Sequence, residues 1–198
     1  MKDEATSILD ERIQPAITNL INSIRKQDIS STNIYQEEAA SSLANLRSLF
    51  LPKQVLPYSI PEEYANLPKL LGRATVDMEV ENPKGFLTPE NKKIPSVVFT
   101  MVVDGYHAPL TSGNFIDLVD SKFYNGLKFH KIEELTAQTG LPKTSTASSL
   151  RTVPLELFYK QDGAPTYGYT SDEDMRATET MALPFQAYGA VGTIHILF

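Results

Sequence analysis

Cysteine is absent from all 198 residues. Its absence excludes disulfides, thiolate metal sites and cysteine nucleophiles, and it assigns no redox compartment. No stretch approaches the roughly 18 consecutive apolar residues of a membrane-spanning helix. A basic excess is missing too: 18 Lys+Arg stand against 24 Asp+Glu, a formal charge of −6 with a pI near 5.1. That balance disfavours broad nucleic-acid binding and docking on anionic lipid heads, both of which need clustered cations. The three histidines are scattered and give no metal-ligand spacing. No Gly-rich phosphate loop and no Gly-x-Ser-x-Gly elbow is present. The opening MKDEATSILDERI is acidic and has no cationic start ahead of an apolar run, so it does not read as a targeting peptide. Either the protein stays where it is made, or a targeting segment has already gone.

What is present suffices for a core: 41% of residues are hydrophobic and 21% charged. Leu9, Ile13, Ile17, Leu20 and Ile24 recur at helical steps, and so do Tyr35, Ala39, Leu43, Leu46 and Phe50. Pro15 interrupts the first stripe, so it kinks that helix or the regular part begins near it. Ser31, Thr32 and Asn33 offer caps for the second, with Gln36 completing a capping box. The short KQDIS between them predicts an antiparallel hairpin over 1–51 whose two apolar faces need a further partner surface. Pro52, Pro57, Pro61 and Pro68 then mark 52–71 as a stiff linker, with Tyr58, Ile60, Tyr64 and Leu67 interleaved to pack along a surface.

From residue 72 the period falls to two. Ala74, Val76, Met78 and Val80 alternate with Thr75, Asp77 and Glu79, predicting a half-buried strand. Residues 81–95 read as a loop, Val97–Val103 as a strand, Asp104-Gly105 as a tight turn and Thr111–Ser121 as a short helix. Strand character returns at Phe123–Ile132 and Val153–Tyr159, residues 161–179 are turn-rich, and the last segment ends on an apolar IHILF.

The run APLTSGNFIDLVDSKFYNGLKFHKI, residues 108–132, resembles the cyclophilin family through Pro109, Thr111, Asn114, Phe115 and Leu118, then Tyr124, Gly126, Phe129, His130, Lys131 and Ile132. GRATVDMEV, DGYHAPLTSGNF, AQTG, RTVPLEL and LPFQAYG, preceded by Pro61-Glu62-Glu63-Tyr64, are similar to the large thylakoid-lumen cyclophilins of plants and algae. The resemblance covers about 55–190 in sequence and the helical region in architecture only. It implies an α+β chain: a helical hairpin followed by a cyclophilin-like antiparallel β-barrel over 72–198, incomplete at the C-terminus, where the segment that should supply the last strands stops at IHILF. It further implies peptidyl-prolyl isomerase chemistry without cofactor or metal, a chloroplast thylakoid lumen location reached through a transit peptide that these residues lack, a peripheral rather than spanning relation to the membrane, and photosystem II lumenal proteins as partners.

X-Pro isomerisation crosses a barrier of roughly 18–20 kcal/mol set by amide resonance. The family lowers it with an arginine that draws on the prolyl amide, a glutamine that holds the chain and an apolar pocket for the ring. Carried over, the arginine position is Lys131 and the glutamine is Gln138; Phe129, Leu135 and Thr136 stand where substrate contacts belong. Lysine keeps the charge and loses the planar two-bond fork. Glu133 and Glu134 enter beside it, and a carboxylate there competes with a substrate carbonyl for the ammonium. Two functions from different classes follow: a photosystem II subunit or assembly factor whose isomerase activity is weak or lost, and an active isomerase of lumenal proteins.

Overall fold

The computed structural model describes residues 2–50, 55–88, 90–140, 151–185 and 189–193. Pro52, Pro89 and the terminal IHILF lie outside them. The chain divides into two compact units, Met1–Lys53 and Gln54–Phe198.

The first unit is a helical hairpin. Helix α1 (Lys2–Ile8) runs into a π-helical turn (Leu9–Ile13) and then into α2 (Gln14–Arg25). The Gln14 N–H donates to the Leu9 carbonyl, five residues back. The regular helix thus restarts just ahead of Pro15, which sits in the first turn of α2, where a missing N–H costs nothing. The wider turn also places Ile13 inward at 3% exposure and leaves Arg12 outside.

Helix α3 (Ile29–Leu49) returns antiparallel. Its cap is Asp28 rather than Ser31, Thr32 or Asn33: the Asp28 carboxylate accepts from the Ser31 N–H at 3.1 Å and the Ser31 hydroxyl at 2.7 Å. The reversal spends one residue, Gln27, at φ 57°, so the helix starts earlier than the Ser-Thr-Asn cluster suggests. Asp28→Ala is expected to destabilise the hairpin, read as a lower melting midpoint by circular dichroism; no change would place the cap elsewhere.

The line of closest approach is made of small residues. Ala16, Ser23, Ala39 and Ser42 are buried, and Thr32 Oγ1 donates to Ser23 Oγ across the pair at 3.0 Å. Two helices touch along a narrow seam, so of the two predicted stripes only Ile13 and Ala39 are buried. Ile17, Ile24, Leu43 and Phe50 remain exposed.

In the second unit, β1 (Arg73–Leu87) and β2 (Lys93–Asp104) form a long antiparallel hairpin. Ala74, Val76, Met78 and Val80 face Val103, Met101, Phe99 and Val97 across it, which gives one apolar face. The other face carries Thr75, Asp77 and Glu79, with Thr100 Oγ1 donating to Asp77 Oδ1 at 2.7 Å. Within 81–95, expected as a loop, residues 81–87 and 93–95 instead extend the two strands, with a bulge between Glu81 and Phe86. Pro83 and Gly85 (φ 75°) occupy the bulge, where no ladder N–H is needed; Asn82 closes it by donating to the Gly85 carbonyl and accepting from the Lys84 N–H, each at 3.0 Å.

A tight turn at Asp104-Gly105 leads into α4 (Pro109–Asp120), which starts two residues earlier than the sequence suggests because Pro109 fits the first helical position. The proline-rich segment lies along this region. The Tyr58 hydroxyl donates to the Tyr106 carbonyl at 2.7 Å, and the Leu70 N–H donates to the Pro109 carbonyl at 3.0 Å. The rings of Tyr58 and Phe158, and of Tyr64 and Tyr167, pack at 6.0 and 5.4 Å.

The remaining strands are two residues each: β3 (Lys131–Ile132) with β4 (Ala137–Gln138), and β5 (Glu156–Leu157) with β6 (Thr166–Tyr167). Among the described residues the strands thus form three separate antiparallel pairs and no closed barrel. Local bonding explains the shortfall at Phe123–Ile132. Asn125 and Leu127 donate back to Lys122 and Tyr124, which uses up groups a ladder would need. At Val153–Tyr159, Pro154 has no N–H to give, and pairing is confined to Glu156–Leu157 and a bridge from Tyr159 to Met181. Arg176 pins the turn-rich stretch: it lies 3.7 Å over the Tyr159 ring and donates to Asp162 at 2.7 and 2.9 Å and to Glu179 at 2.6 Å.

Candidate functional site

The β3–β4 hairpin brings Lys131 and Gln138 directly opposite each other, so their side chains share one face. Its closure is local. The His130 N–H donates to the Gln138 carbonyl at 3.0 Å and the Glu133 N–H to the Thr136 carbonyl at 2.8 Å. Four residues, Glu133–Thr136, make the connection.

The Lys131 ammonium is engaged. Its Nζ lies 3.0 Å from Glu133 Oε1, with both side chains about half exposed. The other oxygen of Glu133 accepts from Thr136 Oγ1 at 3.2 Å, which holds the carboxylate toward the turn. An exposed pair of this kind is worth roughly 0–1 kcal/mol, so it holds the ammonium only weakly. Gln138 is half-buried, as is Phe129, two residues before Lys131. Thr136 is exposed, and Leu135 is 92% exposed at the hairpin tip. The structure therefore unites Lys131 with Gln138, ties Thr136 to Glu133, and puts Leu135 in solvent rather than in a pocket wall.

Two polar centres in the same unit escaped the sequence reading. Asp104 joins β2, the following turn and β1. Its carboxylate accepts from Arg73 Nε and Nη2 at 3.2 and 3.0 Å and from the Tyr106 N–H at 2.9 Å, and lies 3.1 Å from His107 Nδ1. Burial by itself would push this carboxyl up; the His107 bond and the Arg73 guanidinium outweigh it and hold it at about 2. The Asp-Gly pair signals the turn, and the arginine that makes the network is the register partner of Asp104 at the start of β1, 31 residues earlier in the chain.

Glu156 is the second. Its two oxygens accept from the Leu110 N–H at 3.2 Å and the Thr111 N–H at 2.8 Å, the free donors of the first turn of α4. Burial pushes this carboxyl above the ordinary glutamate range, against the pull of those two backbone donors. The signal available in the sequence is one acid inside the otherwise apolar PLELFY. Among the described residues no group of three or more His, Cys, Asp or Glu could hold a metal ion.

Comparison with known proteins adds the following. The family described as cyclophilin type peptidyl-prolyl cis-trans isomerase/CLD matches residues 93–194. A putative thylakoid lumen peptidyl-prolyl cis-trans isomerase of Synechocystis sp. is 36% identical over 196 residues, covering 95% of this chain and 47% of the relative. The chloroplastic peptidyl-prolyl cis-trans isomerase CYP38 of Arabidopsis thaliana is 39% identical over 142 residues, covering 68% of this chain and 31% of the relative. The chloroplastic CYP37 of the same plant is 30% identical over 201 residues, covering 98% and 41%. The chain thus spans about half the length, or less, of the curated relatives it matches.

Proposed function

The chain belongs to the cyclophilin family, and from that premise we propose that it is a thylakoid-lumen cyclophilin-like protein that binds photosystem II as a subunit or assembly factor, with prolyl isomerase activity weak or lost. The names of the relatives support the compartment. We read 1–51 as a helical hairpin, 52–71 as a linker and 72–198 as a partial cyclophilin-like barrel.

One observation carries the loss of activity. Where the family resemblance asks for a free arginine fork beside an apolar wall, Lys131 is paired to Glu133 at 3.0 Å and Leu135 points into solvent. Each tenfold in rate requires about 1.4 kcal/mol of transition-state stabilisation. A single ammonium already shared with a carboxylate supplies little of that. A protease-coupled assay on a short X-Pro peptide is expected to give the uncatalysed rate. For the partner, a pulldown with photosystem II lumenal proteins is expected to retain the chain; recovery only as a free monomer would count against that part.

The second reading, an active isomerase, is favoured by the pairing of Lys131 with Gln138 on one face. Under it the same assay shows a rate above background that Lys131→Ala removes.

A further inference from the structure

The solvent face of the β1–β2 hairpin is built as two columns. On β1, Asp77, Glu79 and Glu81 follow one another at alternate positions, all exposed. On β2, Val98 stands directly opposite Glu79 and Thr100 opposite Asp77, with Val102 next in line. Val98 and Val102 are 62% and 68% exposed. Threonine forms strands as readily, so a face turned only to water does not require valine there. Exposed apolar side chains rimmed by polar ones are the mark of an interaction surface.

The acids of this face are not neutralised from within. Among the described residues Asp77, Glu79 and Glu81 make no ion pair. Arg73, which begins the same column, is held by Asp104 at 3.0 Å. Asp77 accepts the Thr100 hydroxyl at 2.7 Å, and that bond ties the two columns together. Alternate positions on an antiparallel strand lie about 6.8 Å apart, so three like charges repel along the column with no cation to offset them.

We propose that this face docks an extended segment of a partner protein that carries Lys or Arg at alternate positions. An extended chain repeats its side chains at the same spacing as the acids, about 6.8 Å. Lysine and arginine each have an apolar stem and a charged head. Across a strand pair the facing side chains start about 5 Å apart, so a stem laid on Val98 brings its head to Glu79, and one laid on Val102 brings its head to Asp77. Both columns are then used by one row of cations. A second copy of this chain fits worse, because a symmetric pairing of the face sets acids against acids. Nucleic acid and anionic lipid are repelled by the same row. The proposal rests on the reading of the chain as a binding protein, and it names the chemistry of what is bound.

Amide NMR of the full chain, titrated with a synthetic peptide of alternating lysine and threonine, tests this residue by residue. Shift changes are expected on the stretches 75–81 and 96–102, and none with a peptide of alternating glutamate and threonine. The pair of substitutions Glu79→Gln and Glu81→Gln is expected to weaken binding about three- to tenfold, the effect of losing two exposed ion pairs. Val98→Thr, which keeps every charge and the strand propensity, is expected to weaken it as well. Changes centred elsewhere in the unaltered chain, or none, would overturn the proposal even if a variant fails to fold. So would equal binding of the glutamate peptide, an undiminished affinity in the Glu79→Gln, Glu81→Gln variant, or shifts on 75–81 that grow with chain concentration alone and mark self-association. A pulldown with photosystem II lumenal proteins separates this from the wider reading. Retention of those proteins beside a silent peptide map sinks the docking face and leaves the binding role standing.

Discussion

Alanine at Gly105 is expected to destabilise the second unit by about 3 kcal/mol or more, the high end for forcing atoms into filled space. The backbone at 105 is enclosed by other backbone. A Cβ added there would run into the carbonyl of Leu70 and would come within 2.8 Å of both the Leu70 carbonyl carbon and the Gly72 oxygen. None of these is a flexible side-chain tip that could swing aside. The same residue donates its N–H to the Gly72 carbonyl at 2.7 Å, so retreat of the turn breaks a bond as well. Gly113, on α4, has the same relation to Pro68 and Lys69, which shows why the chain before β1 lies so close to this region: two glycines leave the room. Gly163→Ala serves as the control, because nothing stands within 4 Å of its added Cβ. In urea titrations followed by tyrosine fluorescence, Gly105→Ala is expected to shift the main transition to much lower urea and Gly163→Ala to leave it within error. Equal midpoints for the two would refute the close-approach argument.

That enclosure also shows what could be read from the sequence and what could not. The period-two run at 74–80 and the Asp-Gly pair at 104–105 announced β1 and the turn, because alternation and turn chemistry are local properties. The helical hairpin was legible in the same way, through two apolar stripes and a short connection. The seam inside it was not. The stripes named Ala39 but otherwise bulky residues such as Ile17, Ile24 and Leu43, whereas closest approach selects Ala39 together with Ala16, Ser23 and Ser42, which have no hydrophobic signature as a set. The strand residues 81–87 and 93–95 were hidden by Pro83, Gly85 and Pro95, residues that punctuate a loop and equally well sit at a bulge. At the candidate site, Lys131 and Gln138 came from family resemblance, and their pairing depended on a four-residue connection that places them in register. The Lys131–Glu133 contact followed from nearness in sequence. Contacts over long separations, such as Arg73 to Asp104 or Glu156 to α4, left only the faint mark of a charge among apolar neighbours.

Asp104→Asn is expected to lower stability by about 2 kcal/mol at neutral pH, since it keeps the shape and removes the charge that Arg73, His107 and the Tyr106 N–H converge on. Its pH dependence is the sharper test. The folded carboxyl sits at about 2, below the ordinary aspartate value of 3.8. A depressed carboxyl contributes stability that is present above its unfolded pKa and is lost as pH falls through the folded one. The difference between the unaltered chain and Asp104→Asn should therefore be constant above about pH 4 and shrink steadily toward pH 2. Glu156 moves the other way, so its contribution changes above the ordinary glutamate range. Asn at 104 also leaves Arg73 facing a neutral amide at the junction of β1 and β2, and added salt should recover little of the loss because the Asp104 side chain is only 11% exposed. A difference that stays constant from pH 7 to pH 2 would mean that Asp104 acts by shape alone, and that the Arg73 and His107 contacts contribute nothing through charge.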